Sequence, residues 1–212
     1  MQAISWGDAT ANPYSHLLRW QAGSQTALQS LVRVTAGAAG ALSSYLVLAP
    51  LWKYELSHFH EGRADRSATG SCGDDLQVSM ISGIFVELLG TLFCFLSGSV
   101  LSDLPQLKTK PLLITCLDNV VGVALVIAAF DLTGGYFNPN LALGIKLGCG
   151  KGGHLQHLAV YWLGPCVGAS IAAPVHKGVK AIFVTEKARD KKIKKLVEKV
   201  EQQKNEEEKK TK

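Results

Sequence analysis

The sequence predicts an all-α membrane protein, and three observations carry the prediction. Four stretches are long and apolar enough to cross a bilayer, two Asn-Pro dipeptides each open an apolar segment too brief to do so, and basic charge gathers after the last long stretch. Composition alone does not decide the class, because 47% hydrophobic and 18% charged residues leave both soluble and membrane readings open. The local test does. Residues 27–52 carry one formal charge, Arg33; residues 78–101 carry Glu87; residues 111–130 carry Asp118; residues 155–175 carry none. Each reaches the length a helix needs to span the hydrocarbon core. Four buried helices of a soluble bundle would each carry a polar stripe, which these lack.

In chain order the sequence reads as a half-helix over 12–22, spans at 27–52, 78–101 and 111–130, a second half-helix over 138–148, and a span at 155–175. Residues 1–184 form one transmembrane domain and residues 185–212 a charged tail. In "TANPYSHLL" and "YFNPNLALGIK" the Asn suits a helix cap and the Pro suits the first turn, where its missing N–H costs nothing. Irregular backbone at membrane depth is tolerated only inside protein or along a water-filled cavity, so two re-entrant segments imply a cavity. Gly37 with Ala41, Gly40 with Ser44, and Gly164 with Gly168 place small residues four apart, the spacing of close helix contact in lipid.

The net charge of +5 is mostly that of the tail: from Glu186 onward eleven Lys or Arg face seven Asp or Glu, a surplus of four. The basicity is therefore an orientation signal and not a nucleic-acid face. It places the C-terminus in the cytosol, which by alternation puts 102–110 and 1–26 on the cytosolic side and 53–77 and the Asn138 segment outside or in a lumen. Lys53, Arg63 and Arg66 lie on the outer side against the rule. The tail has Ile193, Leu196, Val197 and Val200 at helical spacing, and its end, "KKTK", is similar to the dilysine signal that returns membrane proteins to the endoplasmic reticulum.

No converging catalytic set is visible. "GCGKGG" fails as a phosphate loop because Lys151 is followed by Gly152 where Ser or Thr is required. His58, His60 and Glu61 lack a second ligand pair, so no metal and no cofactor is expected. The five cysteines show neither metal-ligand nor disulfide spacing, and Cys149, in a glycine-rich turn, is expected to be structural, a packed thiol being the bland reading of it taken alone.

Taken together, "GDATANP", "ELLGT", "DLTGGYFNPN" and "YWLGPCVGA", in that order and relative to the spans, resemble the aquaporin, or major intrinsic protein, family over about residues 7 to 173. The resemblance implies an inverted-repeat helical bundle whose half-helices meet at the midplane. Asn12, Pro13 and Tyr14 would form one pore motif and Asn138, Pro139 and Asn140 the other, each Asn donating an amide hydrogen to passing water. Half-helix N-termini, each bearing about half a positive charge, would oppose protons and cations. Glu87 with Thr91 matches the family's ExxxT pattern, whose carboxylate accepts from re-entrant backbone.

The departures matter as much. Tyr14 and Asn140 stand where the family usually has Ala; Leu141 stands where the filter usually has Arg, and Val126 at the position commonly filled by His. A filter of Val126 and Leu141 has no fixed charge, so glycerol-sized neutral solutes become as plausible as water. Cys149 lies nine residues beyond Asn140, the spacing seen in the unorthodox, intracellular superaquaporin branch.

The resemblance further implies homotetramers in lipid, passing water or small neutral solutes. The membrane would be intracellular, the endoplasmic reticulum foremost, with the plasma membrane as the alternative. Against the family pattern of two halves with three spans each, the bundle reads as N-terminally incomplete, with four spans and two half-helices: the first half keeps only the Asn12 half-helix and span 27–52. A non-conducting truncated isoform partnering full-length channel subunits is the rival reading.

Overall fold

The computed structural model describes residues 10–58, 60, 61, 73–147, 149 and 152–182. The expected tail helix and the "KKTK" end lie outside them. The chain divides into two units, residues 1–172 and 173–212. Among the described residues there are helices and no strands, and four helices are long and apolar enough to cross a membrane.

α1 is a short helix, Tyr14–Gln21. α2, Ala27–Trp52, begins at a capping box: Thr26 Oγ1 accepts from the Gln29 N–H at 3.2 Å, and Gln29 Oε1 accepts from the Thr26 N–H at 3.0 Å. α3, Met80–Asp103, is capped by Ser79, whose hydroxyl accepts from the Ser82 N–H. α4, Pro111–Thr133, has its proline at the first turn and ends on Gly134 at φ +88°, the left-handed conformation only glycine adopts without strain. α5, Pro139–Lys146, is the second short helix. α6 runs Gly153–Ile182 and contains a π-helical turn at Ala159–Leu163, an irregularity frequent at functional sites.

Apolar side chains cover much of the outside: Leu28, Leu46, Leu112, Ile127 and Leu155 are all exposed, as lipid-facing surfaces require. The buried cluster of Leu76, Ala142, Val160 and Tyr161 gathers the segment before α3, α5 and the π-helical turn of α6. Small residues set the closest approaches. A Cβ on Gly164 would lie 2.8 Å from the Ile84 carbonyl oxygen and one on Gly168 2.3 Å from that of Leu88, so α6 rests against the α3 backbone at both. Gly144 of α5 stands equally close to the Ala41 carbonyl of α2, while Gly37 makes room for the Asn140 side chain. Gly40 faces open space, so of the two glycines on α2 only Gly37 serves packing.

Candidate functional site

The site is built around the turn from α4 into α5, and one carboxylate organises it. Glu87, in the middle of α3, is fully buried. Its Oε1 accepts from the Thr133 hydroxyl at 2.6 Å and the Tyr136 N–H at 3.2 Å, and its Oε2 accepts from the Phe137 N–H at 2.7 Å. Burying a carboxylate in an apolar helix is costly unless its lone pairs are satisfied, and here three donors do so. Thr91 lies one turn on and donates to the Glu87 carbonyl at 2.8 Å, which keeps its own hydroxyl satisfied. Two further residues join this network: the Thr133 hydroxyl also accepts from the Gly135 N–H at 3.2 Å, and the Tyr161 hydroxyl donates to the Thr133 carbonyl at 2.9 Å. Phe137, held at φ +45°, keeps a strained backbone that the two neighbouring bonds to Glu87 stabilise.

This suspension delivers Asn138 to the start of α5. Its Oδ1 accepts from the backbone N–H groups of Asn140 at 3.0 Å and Leu141 at 3.4 Å, and Pro139 follows at the first helical position. Asn138 is a helix cap as its sequence context predicts.

Asn12 is not, which corrects the expectation of two equivalent caps. Pro13 already has helical dihedrals and no side chain caps α1. The Asn12 amide turns instead to the other motif, Nδ2 donating to the Phe137 carbonyl at 3.4 Å. A partner distant in sequence has outcompeted the local cap. Tyr14 packs edge-on against Phe95 of α3, ring centroids 5.3 Å apart, and so occupies the space beside α1 that a small residue would leave open. α1 is also tied to α2, because the buried Ser30 hydroxyl donates to the His16 carbonyl at 3.1 Å.

The starts of α1 and α5 therefore meet. Asn140 Nδ2 donates to the Ala11 carbonyl at 3.1 Å, reciprocal to the Asn12 bond. Val126 and Leu141, the residues expected at the filter, are both uncharged and partly exposed, at 36% and 47%. Gly135 seats directly on the Val126 backbone, where a Cβ would come within 2.7 Å of the Val126 carbonyl oxygen.

Beyond α5, the strap formed by residues 73–79 is held by charge. Lys146 Nζ pairs with Asp75 Oδ1 at 2.6 Å and donates to the Gly73 carbonyl at 3.1 Å, and the Tyr136 hydroxyl donates to Asp75 Oδ2 at 2.5 Å. The Tyr136 and Tyr161 rings meet edge to face, linking this cluster to α6. Sequence reasoning missed Thr133, Tyr161 and the Asp75–Lys146 pair. The available signal was a pair of carboxylates, Asp74 and Asp75, immediately before an apolar run, but the partner lies 71 residues away.

Cys149 corrects a second expectation: it is disulfide-bonded, while Cys94, Cys116 and Cys166 are free. Cys72, the fifth cysteine, lies outside the described residues. Among those residues no cluster of His, Cys, Asp or Glu could hold a metal ion.

The profile of the family described as Major intrinsic protein matches residues 7–176. The chain is 31% identical over 159 residues to Aquaporin-11 of Equus caballus and 30% identical over the same length to Aquaporin-11 of Homo sapiens, in each case 75% of this chain and 55% of the relative. It is 27% identical over 181 residues to Aquaporin-12 of Mus musculus, 84% of this chain and 59% of that protein. The chain thus spans a little over half the length of the curated relatives it matches. Proteins of this family are channels and not enzymes. With four spanning-capable apolar helices and this match, the protein is a multi-pass membrane protein that belongs to the aquaporin, or major intrinsic protein, family and to its superaquaporin branch.

Proposed function

We propose that the protein acts in passive transmembrane transport of water or small neutral solutes such as glycerol, with Asn12 and Asn138 as the paired pore residues and Val126 and Leu141 as an apolar filter. The observation that carries this is the meeting of the two Asn-Pro segments through reciprocal amide bonds, with α5 held in place by a fully buried carboxylate. An apolar filter weakens discrimination against solutes larger than water, because neither Val126 nor Leu141 offers a charge to compete with a solute's own hydration.

The test is osmotic shrinkage of vesicles holding the protein. Asn138→Asp keeps a capping oxygen and removes the amide hydrogens, so α5 should still form. Its permeability should fall close to that of empty vesicles while the wild type stands well above both. Equal rates in all three preparations would sink the transport reading. Retention of a longer channel subunit on the purified chain would then favour the non-conducting partner.

The orientation we infer has the C-terminus in the cytosol and the C-terminal end of α5 on the opposite side, in an intracellular membrane such as that of the endoplasmic reticulum. The Cys149 disulfide supports it, since disulfides persist on the oxidising side of a membrane. In sealed vesicles taken from cells, Cys149 should resist maleimide labelling until a reductant is added. Labelling without reduction would place it on the reducing side.

A further inference from the structure

Asn140 sits in the first turn of α5, with its backbone N–H taken by the Asn138 cap, so its side chain is the part that can reach beyond the helix. It crosses to the segment that leads into α1 and donates Nδ2 to the Ala11 carbonyl at 3.1 Å. The crossing needs room on α2, and Gly37 supplies it: a Cβ there would stand 2.7 Å from Nδ2. Oδ1 of Asn140 is buried with no hydrogen-bond partner among the described residues. Turning the amide over gains nothing, because it would set Oδ1 against another carbonyl oxygen.

We propose that Asn140 is a positioning residue which, with Gly37 beneath it and Ala11 as acceptor, locks the first re-entrant segment to the second and so sets the separation of Asn12 from Asn138. Only its transport consequence rests on the channel reading; the lock itself does not. The donor is what matters, so Asn140→Asp, equal in size but without amide hydrogens, should lower the melting temperature of the purified chain at neutral pH. A lost hydrogen bond of ordinary strength corresponds to about 2–4 °C for a chain of this size. Gly37→Ala should gain less stability in the wild type than in the Asn140→Ala background, where the colliding atoms are gone and only the preference of a helix interior for alanine remains.

In vesicles, Asn140→Ala should change the ratio of glycerol to water permeability and not merely scale both together. That ratio is a readout that stability alone would not move. An Asn140→Asp variant as stable as the wild type would overturn the lock. A Gly37→Ala effect of equal size with and without Asn140 would overturn it as well. If no preparation conducts, the channel reading fails while the melting cycle still decides the lock; if Asn140→Ala conducts with an unchanged ratio, the lock does not set the pore.

Discussion

Replacing Glu87 with leucine is expected to destabilise the protein more than any other single substitution in the described residues. Leucine fills similar space but accepts no hydrogen bond, so the Thr133 hydroxyl and the Tyr136 and Phe137 N–H groups lose their acceptor together. Each buried donor left unpaired costs about 1–3 kcal/mol. Water cannot relieve the loss, since Glu87 is fully buried within an apolar helix. The damage would spread along the chain: Phe137 holds a positive φ next to these bonds, and Asn138 is the following residue, so loosening the turn also releases the α5 cap. Glu87→Gln keeps one carbonyl oxygen and should fall between leucine and wild type. Melting in detergent, combined with hydrogen exchange at the Tyr136 and Phe137 amides, checks both. Leucine with wild-type melting and slow exchange at those amides would mean that something other than Glu87 holds the turn.

The same network shows which parts of the molecule sequence could reveal. Glu87 is legible because a lone carboxylate in an apolar run must find partners, and Thr91 completes a recognisable pattern. Its actual partners lie 46 to 50 residues onward, and no local signal names them. Asn138 reads correctly as a cap because capping is a contest among neighbours: the competing groups all lie within three residues. Asn12 has the same dipeptide and the opposite outcome, since its amide finds the Phe137 carbonyl 125 residues away. The same limit hid the Asp75–Lys146 pair and the seat that Gly37 makes for Asn140. The spans themselves were legible because lipid imposes a length and a polarity on each helix independently of its neighbours.

Gly168 tests the other support of the site, the contact between α6 and α3. A Cβ there would stand 2.3 Å from the Leu88 carbonyl oxygen and 3.1 Å from its carbon, and neither is the end of a flexible side chain. Backbone must move for the collision to be relieved, so Gly168→Ala is expected to cost about 1–3 kcal/mol, as overpacking of a well-fitted interior does. Gly168→Val should cost more, because its branched Cβ has few rotamers with which to escape. The displaced helix is the one that carries Tyr161, whose hydroxyl holds the Thr133 carbonyl, so a shift of α6 reaches the Glu87 turn from its far side. Gly40→Ala on α2 supplies the contrast. Nothing lies within 4 Å of a Cβ at Gly40, and exchanging glycine for alanine in a helix interior gains roughly 0.8–1.0 kcal/mol. The two alanines should therefore move the melting temperature in opposite directions, although both residues are glycines within apolar helices. If Gly168→Ala instead melts at or above the wild type, α6 does not rest on the α3 backbone at Leu88, and the route from α6 to the Glu87 turn falls with it.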